Sequence, residues 1–319
     1  MPDTHLPSAL PPALPPAKFL DPLRTAAGDP RAQVQMRRLD TLWFNTGTLC
    51  NVTCGHCYIE SSPRNDRLAY LTAAEVAGFL DEIDRDRLGT RTIGFTGGEP
   101  FMNRDLRPML EDVLGRGLDA LVLTNAMQPL LQARTWLPAL LRFGGKLTIR
   151  VSLDHHSAAV HEAERGAGTW APTIAGLRWL AETGFAVHVA GRRFTNETEA
   201  ALRAGYGALF AGLGLALDAA DPVALTIFPE MDATAEVPEI TEACWGILGR
   251  TPDSVMCASA RMVVKRKGAA RPAVLACTLL PYDPRFELGA SLGESFVAVA
   301  LNHPHCARFC VLGGGACSR

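Results

Sequence analysis

Residues 50–58 read Cys-Asn-Val-Thr-Cys-Gly-His-Cys-Tyr, which sets Cys50, Cys54 and Cys57 at CxxxCxxC spacing in one small loop. Three thiolates so placed present themselves to a single iron–sulfur cluster and leave its fourth iron without a protein ligand. A fully ligated cluster mainly moves electrons, whereas one with an open iron can also hold a small molecule and pass an electron into it. A CxxC pair by itself says less, because it also marks thioredoxin-like redox sites and half zinc sites.

Such a loop needs firm elements on both sides. An apolar, aromatic run at 39–44 reads as a strand, and Thr72 with Glu75 forms a capping box ahead of Val76, Phe79, Leu80 and Ile83 at helical spacing. Further strands are expected at 92–95, 118–123, 147–153, 185–189 and 223–228. Between them lie helices opened by Asn103, spanning 130–141 and 169–183, and opened by Asn196 with Glu199. Six βα units are countable, and that alternation favours parallel strands joined by crossover helices.

The triple-cysteine spacing, closed by aromatic Tyr58 and set in a βα pattern, resembles the cluster motif of the radical S-adenosylmethionine (radical SAM) superfamily. The resemblance implies a 4Fe-4S cluster whose open iron chelates the amino and carboxylate groups of S-adenosylmethionine. It also implies one-electron cleavage to methionine and a 5'-deoxyadenosyl radical that abstracts a substrate hydrogen. Six units are too few for a closed eight-stranded barrel, so the expected fold is α/β, a partial (β/α)6 TIM-like barrel with its chemistry at the carboxyl ends of the strands.

Motifs recur after several strands. Thr96-Gly97-Gly98-Glu99-Pro100 resembles the family's GGE element, which implies that Gly97, Gly98 and Glu99 bind the methionine amino group; an ordinary glycine turn is the plainer alternative. Asn125 follows the third strand. Arg150, Ser152 and Asp154 share one face of the fourth, opposite Ile149, Val151 and Leu153. Ser152 and Asp154 resemble the family's Ser-x-Asp contact to the cofactor's ribose and methionine parts. Arg165, in Arg-Gly-Ala-Gly-Thr-Trp, resembles an arginine that pairs with its carboxylate. Tyr58 and Asn125 join the cofactor-binding set, the alternatives being a helix cap for Asn125 and a surface charge for Arg165. His155, His156, His161 and His188 lack mononuclear metal spacing and read as structural, while His188 and Arg192 share strand parity and are candidates to face a substrate.

The last segment changes character. Strands at 262–265 and 273–276 around a basic turn at Gly268 put Cys257 and Cys277 at the two ends of a hairpin, and Cys306, Cys310 and Cys317 crowd the carboxyl end. With the Leu288-Gly-Ala-Ser-Leu-Gly-Glu stretch, this resembles the auxiliary-cluster extensions called twitch and SPASM domains. It departs from them in a long gap from Gly268 to Cys277 and in having fewer cysteines than the full SPASM set. Five cysteines suit a second 4Fe-4S cluster with one thiol spare, with zinc the competitor because His303 and His305 flank Cys306. Cys244 reads as a small buried hydrophobe on a helix with Ile240, Ile247 and Leu248.

The expected organisation is a Pro-rich arm at 1–38 without catalytic residues, the barrel at 39–235, and a linker helix with the twitch-like extension at 236–319. A net charge of −2 makes no case for nucleic acid or a membrane surface, and 48% hydrophobic residues suffice for a core without disulfides. The start lacks the basic region and apolar core of a signal peptide, so the nine cysteines read as reduced, cytoplasmic thiols. The expected function is a radical SAM enzyme fed by an electron donor such as flavodoxin or ferredoxin. Its substrate reads as a small molecule undergoing oxidation or cross-linking, because no peptide-binding domain precedes the barrel. The alternatives are modification of a ribosomally made peptide, or a non-catalytic iron–sulfur or zinc protein.

Overall fold

Alternation along the strands decides which side chains are buried against helices and which are turned toward the site. The computed structural model describes residues 18–193, 195–230, 232 and 234–315. Its elements in chain order are β1 (Gln33–Gln35), β2 (Thr41–Asn45), α1 (Ala73–Asp86), β3 (Thr92–Thr96), α2 (Leu106–Gly115), β4 (Asp119–Thr124) and α3 (Gln128–Gln132). Then come β5 (Leu147–Ser152), α4 (Ala158–Arg165), α5 (Trp170–Thr183), β6 (Ala186–Arg193), α6 (Glu199–Leu213), β7 (Leu225–Pro229) and α7 (Cys244–Ile247). The tail adds β8 (Ala260–Val264), β9 (Ala273–Leu275), β10 (Glu287–Gly289) and β11 (Ala298–Ala300).

Strands β2 to β7 pair in sequence order and in parallel, giving the expected six βα units as an open, partial barrel. Leu42, Phe44, Ile93, Phe95, Val122, Ile149 and Val151 form one core with apolar residues of α1, α2 and α5. Trp43 and Leu121, of opposite parity, join a second core with Met262, Leu275, Phe286 and Phe309 of the tail and Phe19 and Val34 of the amino-terminal segment. A Cβ on Gly94 would lie 2.2 Å from the Trp43 ring, so β3 must carry glycine for that ring to pack against it.

The tail is continuous with the sheet. β8 pairs in parallel with β2 on the side opposite β3, and β9 and β10 follow antiparallel, giving nine strands in the order β10-β9-β8-β2-β3-β4-β5-β6-β7. The arm wraps the molecule where it is described: Arg31, Ala32 and Val34 are buried, and β1 pairs with β11. Residues 1–17 and Cys317 lie outside the described residues. Among the described residues no helix is long and apolar enough to cross a membrane.

Several local expectations are corrected. The α6 cap is Thr198, whose hydroxyl accepts from the Ala201 amide, in place of Asn196. Asn103 bridges the Thr46 and Leu71 carbonyls, and Asp105 precedes α2. The segment at 130–141 breaks after a short α3 into 3-10 turns. The linker helix is the four-residue α7, with Ile247 79% exposed, so no apolar stripe exists and Cys244 is half-buried.

Candidate cluster and cofactor site

The three thiols of the CxxxCxxC loop open onto one cavity at the carboxyl ends of the strands. Of the barrel residues nominated from sequence, Tyr58, Gly97, Gly98, Asn125, Ser152, Asp154 and Arg165 line it with them, and Glu99 does not. Arg192 lines it too, whereas His188 does not. Arg150 is buried away from it.

Two adjacent loops form its floor. The Gly98 amide donates to the Gly47 carbonyl at 2.8 Å and the Glu99 amide to the Leu49 carbonyl at 3.1 Å. Gly97 has φ +136°, and a Cβ on Gly98 would fall 2.1 Å from the Leu49 oxygen. The glycine pair is therefore required by backbone packed against the segment leading to Cys50, beyond any approach to a ligand.

Glu99 sits behind the cavity lining. Its carboxylate is buried and accepts from the Thr124 hydroxyl at 2.8 Å and from the Asn125 and Phe101 amides at 2.9 and 3.2 Å. Burial, opposed by these donors, pushes it up to about 7. It fixes the turn that carries Asn125, whose amide donates to Asn51 at 2.8 Å and reaches toward Cys50 Sγ at 3.9 Å.

Asp154, at the end of β5, and Arg165, at the end of α4, form a two-pronged ion pair at 2.8 and 3.0 Å. Burial opposes the charge on Asp154, yet the Arg165 guanidinium holds the carboxyl below its usual range. The neighbouring Glu164 makes a second clamp that sequence reasoning missed. Its carbonyl accepts from the Gly55 amide at 2.8 Å, and its carboxylate from the His56 amide at 2.8 Å and from Arg192 at 2.7 Å. His56 Nδ1 lies 2.7 Å from the other carboxylate oxygen. Helix α4 thus grips the middle of the cysteine loop.

The thiols fit a metal cluster. All three are free of disulfides, and burial pushes Cys50 up to about 12, so a thiolate there calls for a positive partner. The Ser61 amide donates to Cys57 Sγ at 3.3 Å.

In the tail, Cys257, Cys277 and Cys306 come together. Burial, reinforced by Cys277 and Cys257, pushes the Cys306 thiol well up. Cys310 lies one turn along a π-helix, Cys306–Leu312, which also sets Phe309 into the barrel cavity and stacks it on Phe228 at 5.7 Å between centroids. Leu279, two residues beyond Cys277, lines the same cavity. Phe228, Phe309 and Leu279 had no sequence motif to mark them.

Among the described residues the donor atoms of one His/Cys/Asp/Glu triad converge within 4.8 Å, those of His155, His156 and Glu197. Sequence spacing alone pairs these histidines with no carboxylate. The Ser157 amide donates to His155 Nδ1 at 3.0 Å, which leaves the Nε2 proton pointing at Glu197, 2.7 Å away. That is a hydrogen-bonded clamp on the loop after Asp154, since the nitrogen facing Glu197 is protonated and offers no lone pair to a metal.

The model of the radical SAM superfamily matches residues 44–203, half of the chain. The chain is 31% identical over 142 residues to the antilisterial bacteriocin subtilosin biosynthesis protein AlbA of Bacillus subtilis, covering 44% of this chain and 30% of that protein. It is 30% identical over 139 residues to the mycofactocin maturase MftC of Mycobacterium ulcerans, covering 43% of this chain and 35% of that one. The chain thus spans about a third of the length of these relatives. Among solved structures, SuiB of Streptococcus suis bound to the precursor peptide SuiA superposes over 80% of this chain and 63% of that one, with a TM-score of 0.59 at 12% identity. With the motif, the open α/β barrel and the converging thiols in agreement, the chain belongs to the radical SAM superfamily, enzymes that use a 4Fe-4S cluster and S-adenosylmethionine.

Proposed function

We propose that the protein is a radical SAM enzyme that modifies a peptide, with Cys50, Cys54 and Cys57 as cluster ligands. The convergence of these thiols with the Asp154–Arg165 pair in one cavity carries the reading. When bound, the cluster supplies the electron that cleaves S-adenosylmethionine to methionine and the 5'-deoxyadenosyl radical that takes a substrate hydrogen. Backbone carbonyls of the Gly97–Gly98 turn would accept from the cofactor ammonium, and Glu99 holds the neighbouring turn at Thr124 and Asn125. Arg165 offers a cation to the carboxylate, while Asp154 and Ser152 accept from or donate to the ribose. Phe228, Phe309 and Leu279 keep water from the reacting end of the cavity.

Peptide modification is favoured over a small molecule because AlbA and MftC, by their names, serve bacteriocin biosynthesis and mycofactocin maturation. We further propose that Cys257, Cys277 and Cys306, with Cys310 or Cys317, hold a second 4Fe-4S cluster. Zinc at about 2.3 Å from each sulfur draws its ligands within roughly 4 Å of one another. No three tail donors among the described residues lie that close. Reduction by a flavodoxin or ferredoxin and a cytoplasmic location accompany this reading.

Reconstituted protein with dithionite and S-adenosylmethionine should yield 5'-deoxyadenosine by liquid chromatography, and Cys54→Ala should abolish it. Wild-type protein that holds its cluster and binds the cofactor but never cleaves it, under varied reductants, would refute the reading.

A further inference from the structure

Two buried arginines of this fold meet carboxylates. Arg31 pairs with Glu239, and Arg192 with Glu164. Arg261 on β8 is fully buried, and among the described residues no carboxylate pairs with it. Its guanidinium donates only to carbonyls: Cys257 at 2.6 Å, Ala260 at 2.9 Å, Ser295 at 3.1 and 2.9 Å, and Val297 at 3.3 Å. These bonds satisfy its donors and leave its charge uncompensated, which is costly in a dry core. The ionisable groups beside it are the thiols of Cys257 and Cys277. The shortest of its bonds, at 2.6 Å, goes to the carbonyl of Cys257 itself, so the cation lies against a residue that would carry a ligand thiolate.

We propose that Arg261 is the counter-ion of a thiolate-ligated iron–sulfur cluster at Cys257, Cys277 and Cys306, and that its charge makes this cluster easier to reduce. The inference rests on the auxiliary-cluster reading of the tail. A nearby fixed cation stabilises the more negative, reduced form of a cluster, and surrounding charge is one of the levers by which proteins set such potentials. Hydrogen bonding to carbonyls alone would need donors and no charge.

The test uses full-length protein with Cys50, Cys54 and Cys57 replaced together by alanine, so that only the tail site can hold metal. Iron, sulfide and the midpoint potential are measured for this parent and for Arg261→Gln and Arg261→Lys in the same background. The proposal expects Arg261→Gln to lower the one-electron reduction constant at least tenfold, a shift of 59 mV. It expects Arg261→Lys, which keeps a cation at the site, to stay within a few tens of millivolts of the parent potential, short of a tenfold change. That second measurement decides the matter if Arg261→Gln does not fold. A Gln variant with the parent potential, or a Lys variant shifted as far as 59 mV, would overturn the counter-ion role with the cluster still present. A parent without iron and sulfide would refute the auxiliary cluster, and the proposal with it, an outcome distinguished by metal content alone.

Discussion

Asp154 holds Arg165 by both carboxylate oxygens, at 2.8 and 3.0 Å, inside the cavity that receives the cysteine thiols. The pair links the end of β5 to the end of α4, so the cation's position depends on the acid. Asp154→Asn breaks the two-pronged match, and disrupting a buried pair is worth about 3–5 kcal/mol. Affinity for S-adenosylmethionine, measured calorimetrically, should fall at least tenfold while iron content holds. Unchanged affinity would remove the pair from cofactor binding.

Gly98→Ala should be harmful for a reason independent of any ligand, because its Cβ would meet the Leu49 carbonyl at 2.1 Å. We expect it to be destabilised by more than about 1 kcal/mol in urea, a backbone effect, and to load less iron. Gly212→Ala in α6, with open space around the new methyl, should gain about 0.5–1 kcal/mol. Equal behaviour of the two variants would contradict the loop contact.

Glu164→Ala leaves Arg192 buried without its acid and frees the His56 amide. Cluster loss to a chelator should accelerate severalfold, with a stability decrease of about 3–5 kcal/mol. Glu164→Gln should fall between, since an amide oxygen can still accept from His56. A chelation rate equal to wild type in both variants would show that α4 does not steady the cysteine loop.

His161 is fully buried beside Trp170, and neither ring nitrogen has a hydrogen-bond partner among the described residues. Burial, reinforced by Arg165, pushes it down to about 4, below its ordinary 6.5. On acidification the unfolded chain takes the proton first. The stability held by neutral His161 is therefore complete above about pH 6.5 and is lost as pH falls toward 4, on the order of 1–3 kcal/mol. Melting curves of His161→Phe should lack that share of the acid loss; parallel pH profiles for variant and wild type would refute it.

Much of the fold was legible because local signals agreed with tertiary need. The Thr72–Glu75 capping box forms as read, and Ile149, Val151 and Leu153 pack into the helix-side core while Ser152 and Asp154 of the opposite parity line the cavity, Arg150 being buried away from it. Long-range partners were not legible. Glu164 looks in sequence like any helix-end acid, and its partners Gly55, His56 and Arg192 come from other units. Arg261 is hidden within a strand of aliphatic neighbours. Two of the three donors to Glu99, the Thr124 hydroxyl and the Asn125 amide, come from the next βα unit, outside its motif.

The parallel pairing of β8 with β2 also bears on how the protein can be cut apart. Thr41 to Phe44, the strand that feeds the cysteine loop, has Ala260 to Val263 along its outer side. A chain truncated before residue 260 would expose that row of amides and carbonyls as an edge in mid-sheet, along with the apolar face of Trp43. Exposed edges of this kind recruit strands from other chains. Barrel-only fragments should therefore aggregate, and swapping extensions between relatives will succeed only where the exchanged piece brings its own strand to lie beside β2.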